Sequence, residues 1–232
     1  MDEYSFGYPK QCAKCASLSK GNLSLRVAPY LKEGGELRLM LIGQDPTIFQ
    51  EPERVQHVLM LDQENGQLSR WLRGLFGEDN FRLLTLYATN LVKCSFIKPP
   101  STVRQGGFKF LQPYFQNCKD YLAQEISRFR PTLALTLGEP AHKLFVATLD
   151  NCDNIADSMQ DAFKGQFVKA KFRDLEFDYS PCLHIKTFRV AEAYGNSVKR
   201  FKEGIAVYFK EAGHSGLSQH GLCGSLRKAR ER

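Results

Sequence analysis

What this chain lacks narrows it first. No apolar run approaches the roughly 20 residues that a membrane-spanning helix needs, and Met1 to Lys10 has neither the basic start nor the apolar centre of a secretory leader. Both absences predict an intracellular, cytoplasmic protein that does not enter a membrane. Internal repeats are absent, and composition does not shift between residues 37 and 210, so the 232 residues read as one unit, 1–212, followed by a tail, 213–232. Tryptophan occurs once, and the helical spacing of Trp71 with Leu68, Leu72 and Leu75 assigns it to a core rather than to a base-stacking surface. Seven cysteines in a chain that is 43% hydrophobic do not suggest a secreted disulfide scaffold, because a core of this size needs no staples. Metal or redox chemistry is the better reading of them. The net charge of +7 suits an anionic partner. Part of it sits in the tail, where Arg227, Lys228, Arg230 and Arg232 face only Glu231, and the Gly and Ser content there predicts disorder.

What is present is organised around Leu37-Arg-Leu-Met-Leu-Ile-Gly-Gln-Asp-Pro-Thr47. Leu39 to Ile42 is a continuous apolar run, the pattern of a parallel strand covered on both faces, and Gly43 and Pro46 end it. Asp45 therefore stands at a strand's carboxyl edge, where open α/β sheets bind ligands. It reads either as a turn and cap residue or as a carboxylate aimed into that crevice to position water or stabilise a developing cation.

A second apolar strand is predicted over Phe81–Ala88, ending in Thr89-Asn90-Leu91-Val92-Lys93-Cys94, after a helix over Gln67–Leu75. Asn90 either satisfies a turn or offers a donor and an acceptor together, as reading a pyrimidine edge requires. A Pro- and Gly-rich loop, 98–107, carries Ser101, Thr102 and Arg104, which could meet phosphates. A helix over Leu111–Arg128 carries Cys118. A third strand over Thr132–Leu137 turns at Gly138 into a helix over Glu139–Leu149, on whose solvated face His142 is expected. A last strand, Phe177–His184, delivers His184-Ile-Lys-Thr-Phe-Arg189 to the same edge, and a helix over Val190–Lys210 closes the chain. The expected fold is a three-layer α/β/α sandwich around a mainly parallel four-stranded sheet. Near the start, Cys12-Ala-Lys-Cys15 brings two thiols within reach of one metal, and zinc, an iron–sulfur cluster and a redox dithiol all use that spacing.

Asp45, Asn90 and His184, from three strand ends, make the sequence resemble the uracil-DNA glycosylase superfamily over about residues 12–210. Gly43-Gln-Asp-Pro-Thr47 resembles the water-activating Gly-Gln-Asp-Pro-Tyr of the family 1 enzymes, whereas Thr89-Asn-Leu-Val-Lys-Cys94 resembles the Thr-Asn-Val-Val-Lys-Cys of the iron–sulfur branch, family 4. The turn Leu137-Gly138-Glu-Pro-Ala141 and the segment Gly66-Gln-Leu68 resemble that branch too. The resemblance implies a 4Fe–4S cluster on Cys12, Cys15, Cys94 and Cys118, the gap between the last two being longer than usual.

It implies a DNA-binding hydrolase, a monomer, that excises uracil from single- or double-stranded DNA in base excision repair, with the nucleotide flipped into the crevice. Asp45 and His184 would be catalytic, and Gly43, Gln44, Thr47, Leu61 and Asn90 would bind the base. Ser101, Lys186, Phe188 and Arg189 would contact DNA. Three departures stand out. Thr47 replaces both the Tyr of one branch and the Gly of the other, which predicts weak cleavage of small 5-substituted uracils. Leu61 or Met60 stands where an aromatic stacks on the base, and Ile185 replaces a Pro. The second hypothesis is a catalytically weak or inactive nucleic-acid-binding member of the same fold, and a third, an electron carrier, accounts for the cysteines but not for the strand-end residues.

Overall fold

The computed structural model describes residues 12–18, 22–46, 55–96, 107–184 and 195–219. Its centre is a six-stranded sheet in the order β2-β4-β3-β6-β8-β7. The strands are β2 (Tyr30–Lys32), β3 (Arg38–Gly43), β4 (Thr85–Asn90), β6 (Leu133–Leu137), β7 (Val168–Phe172) and β8 (Leu175–Cys182). The four inner strands run parallel, which is the expected four-stranded centre, and β2 and β7 each add an antiparallel edge to it. A separate two-stranded ribbon joins β1 (Asn22–Arg26) to β5 (Cys94–Phe96).

Alternation along the strands builds two cores. In β3, Met40 and Ile42 face a layer with Leu122, Ile126 and Phe129 of α3 (Gly107–Phe129) and Leu144 and Phe145 of α4 (Glu139–Val146). Leu39 and Leu41 face the other layer, with Leu72 and Phe76 of α1 (Gln67–Phe76), Phe81 of α2 (Glu78–Leu83) and Phe201, Ile205 and Phe209 of α6 (Gly195–Gln219). A short helix, α5 (Met159–Ala162), adds Met159 to that layer.

Several elements differ from expectation. Phe81 lies in α2, not at the start of a strand: Gly77, at φ +81°, ends α1 and restarts a helix whose first turn holds Glu78 and Asp79. His142 is fully buried rather than solvated. Its Nε2 donates to the Ala156 carbonyl at 2.7 Å, which leaves Nδ1 to accept from the Tyr179 hydroxyl at 2.6 Å, and Thr136 completes the chain at 2.8 Å from Tyr179. Residues 213–219, expected to begin a disordered tail, continue the backbone of α6. Gly213 and Gly216 cost a helix only about 1 kcal/mol each, and no proline interrupts the ladder there.

Candidate active site

Four neighbouring parallel strands end on one side of the sheet, and β3 is the point at which the chain order reverses: β4 lies on one flank and β6 on the other. A cavity of about 490 Å³ opens there, lined by Asp45 after β3, Asn90 at the end of β4, Leu137 at the end of β6 and His184 after β8. The three strand-end residues singled out in the sequence thus share one cavity.

Asn90 is 1% exposed, and neither its Nδ2 nor its Oδ1 has a hydrogen-bond partner among the described residues. An unpaired buried amide group costs about 1–3 kcal/mol, so this amide calls for a partner from outside the described residues. Gly43 makes the position possible. The two residues are register partners, and a Cβ on Gly43 would overlap the Asn90 side-chain oxygen.

Asp45 lies half-buried in the cavity wall, where Gln44 Nε2 donates to its Oδ1 at 2.6 Å. Burial pushes its carboxyl up to about 7, and the Gln44 hydrogen bond restrains the rise. Such a group is poised between acid and carboxylate at neutral pH. His184 is exposed at the mouth. The chain turn after β4 is tied to the Asp45 turn, because Leu91 N–H donates to the Gly43 carbonyl at 2.9 Å and Val92 N–H to the Gln44 carbonyl at 3.0 Å.

Residues 55–68 form the facing wall. Leu61 is buried in the core beneath and does not line the cavity, whereas Met60 and Leu59 do. Both adopt left-handed backbone, with φ of 62° for Leu59 and 53° for Met60, in a 3-10 turn over Val58–Met60. Such conformations are strained for residues with side chains. Gln63, Asn65 and Gln67 add amides at the rim, before and at the start of α1. Sequence reasoning named Gln67 only within the Gly66-Gln-Leu68 resemblance and passed over Gln63 and Asn65, although their place at and just before the Asn65-Gly66 turn that opens α1 could have marked a loop facing the strand ends. The expected contacts Thr47, Ser101, Lys186, Phe188 and Arg189 lie outside the described residues.

Of the cysteines expected to act together, Cys94 begins β5 and Cys118 lies in α3. Cys12 and Cys15 lie at a turn held to α3, where Asn117 Nδ2 donates to the Lys14 carbonyl at 2.9 Å and to Cys15 Sγ at 3.4 Å. Burial pushes the Cys118 thiol up to about 11; the Lys93 backbone N–H and ammonium oppose this, while Cys15 and Cys94 are near enough to add to it. Among the described residues no three Cys, His, Asp or Glu side chains converge as a site for a metal ion.

A carboxyl, an imidazole and a buried amide thus meet at the switch point of the parallel sheet. The family model described as the Uracil DNA glycosylase superfamily matches residues 31–203, more than half of the chain. The chain belongs to that superfamily. Comparison with curated proteins returned no match. Membership supports a DNA glycosylase, a hydrolase of DNA repair, with DNA as substrate. The superfamily match spans Asp45, Asn90 and His184 but begins after Cys12 and Cys15. No helix among the described residues is long and apolar enough to cross a membrane.

Proposed function

We propose that the protein hydrolyses the bond between uracil and deoxyribose in DNA, with the nucleotide turned out of the stack into the cavity at the sheet edge. The observation that carries this reading is the Asn90 amide, buried and, among the described residues, unpaired on both its nitrogen and its oxygen. Uracil presents an N3–H donor beside an O4 acceptor, which is the complement of one amide oxygen and one amide nitrogen. A base seated there satisfies both groups at once.

Asp45, in its ionised form, orders the attacking water and stabilises the cation that develops on the sugar as the bond breaks. His184, at the cavity mouth, donates to uracil O2 as negative charge accumulates on the leaving base. Electrons of the broken bond stay with the base, and water supplies the hydroxyl to the sugar. Cys12, Cys15, Cys94 and Cys118 would hold a 4Fe–4S cluster in this reading; that Cys15 and Cys94 both lie within electrostatic reach of Cys118 supports it. When bound, the cluster supplies a covalent tie among the amino-terminal turn, β5 and α3, together with a redox-active centre.

The test is incubation with single-stranded and duplex DNA containing one uracil, followed by alkali to cleave abasic sites. Scission at the uracil position is expected with both substrates. Tight binding of uracil-containing DNA without scission would replace this reading with that of a binding member of the same fold.

A further inference from the structure

Among the ion pairs of the described residues, Lys93 with Glu125 is buried at both ends, at 3% and 0% exposure. Removing two charges from water costs several kcal/mol for each ion, and an apolar pair of similar volume often holds a fold as well or better. Stability is therefore a poor reason for the pair, whereas its place in the chain is a good one.

Lys93 Nζ donates to Glu125 Oε2 at 2.6 Å and to Thr89 Oγ1 at 2.6 Å, and the Thr89 hydroxyl lies 3.0 Å from each carboxylate oxygen of Glu125. The three groups close a triangle. Thr89 immediately precedes Asn90 on β4, and Lys93 follows the turn that leaves it. Strand alternation sends the Thr89 side chain toward α3 and the Asn90 side chain into the cavity. Among the described residues no hydrogen bond at the tip of the Asn90 amide fixes its place, because neither of its polar atoms has a partner there. The backbone must do so. On the sheet side it is held by the bonds from Leu91 and Val92 to Gly43 and Gln44, and on the helix side by the triangle.

We propose that Glu125, acting through Thr89 and Lys93, is the positioning residue that holds Asn90 where it reads the base. The inference rests on the uracil-reading role of Asn90 proposed above. Glu125 touches no substrate; it sets the height and tilt of the strand end from across the sheet's opposite layer.

Thr89→Val tests it with little change of shape, deleting the hydroxyl while leaving Lys93 and Glu125 in contact. Single-turnover rate on uracil-containing DNA and affinity for free uracil are expected to fall about ten- to a hundred-fold, the scale of an ångström-sized misplacement. Affinity for DNA with an abasic site, which has no base to read, should stay as in the parent. Thr89→Ser should restore both losses. In an Asn90→Ala background the same Thr89→Val change should cost nothing further, since a residue that acts through Asn90 has nothing left to act on. The paired replacement Lys93→Met with Glu125→Met, which leaves no charge unpaired, should reproduce the Thr89→Val losses in a folded protein. Parental rate and uracil affinity in Thr89→Val would overturn the inference, as would equal losses with and without Asn90. If Asn90→Ala itself leaves rate and uracil affinity unchanged, the base-reading role of Asn90 fails first, and this inference with it, while the excision of uracil stands.

Discussion

Replacing Asp45 by Asn separates the chemistry of the site from its fold. The carboxyl titrates near 7 instead of its ordinary 3.8 because the cavity wall desolvates it. If the carboxylate is the active form, only about 1% of the protein carries it at pH 5 and about half at pH 7, so turnover should climb about fifty-fold across that interval. DNA phosphates, being anionic, displace the midpoint further upward in the complex. Asp45→Asn keeps an oxygen to accept from Gln44 but has no charge to gain, so its much lower rate should be flat with pH. Stability provides an independent check with the opposite sign. Between pH 3.8 and about 7 the unfolded chain has lost this proton and the folded one has kept it. The parent is therefore destabilised as pH rises through that window, by at most about 4 kcal/mol, since each tenfold difference in proton affinity between the folded and unfolded chain is worth about 1.4 kcal/mol. Asp45→Asn should match the parent in thermal denaturation at pH 4 and exceed it at pH 8. The measurements are single-turnover rates and Tm across pH 4–8. A parental rate without a rising limb, or one that persists in the variant, would show that Asp45 is not the titrating group.

Asn90→Ala should abolish most turnover while raising Tm by a few degrees, because removal of an unpaired buried amide recovers about 1–3 kcal/mol; a fall in Tm would mean that the amide is satisfied in the folded protein. Gly43→Ala should impair base binding and cost about 1–3 kcal/mol in denaturant unfolding through overpacking against Asn90, and parental affinity for uracil would show that Asn90 does not sit against this glycine. Purified without oxidation, the protein should be brown with broad visible absorption, and Cys94→Ala and Cys118→Ala should each lose colour and stability; a colourless protein with stoichiometric zinc would remove the cluster and leave the sheet as described.

The parts of the fold that were legible in the sequence are those encoded by short, strong periodicities. Leu39 to Ile42 is apolar without interruption and Leu133 to Leu137 is apolar but for Thr136, as a strand covered on both faces requires, and both became inner strands of the parallel sheet. Helix α1 began at Gln67 as its spacing predicted. Asp45, Asn90 and His184 could be assigned to one crevice because parallel strands that end at the same edge bring their following residues together whatever lies between them.

Tertiary structure alone decided what stands opposite each residue. Local pattern assigns a side chain to a face, and only packing supplies its neighbour. His142 is buried because Tyr179 and the Ala156 carbonyl, distant in sequence, satisfy both ring nitrogens. Leu61 and Met60 are adjacent and similar in character, yet a left-handed turn sends Met60 to the cavity and leaves Leu61 in the core. Glu125 reads in sequence as an ordinary charged residue of a helix, and nothing local marks it as the partner of the lysine that follows β4. The sequence determined the strands, their punctuation and the residue types delivered to the edge, because those depend on short-range periodicity. Which polar groups are paired, which are left unpaired and how far a carboxyl is desolvated depend on contacts between segments, and these exist only once the chain has folded.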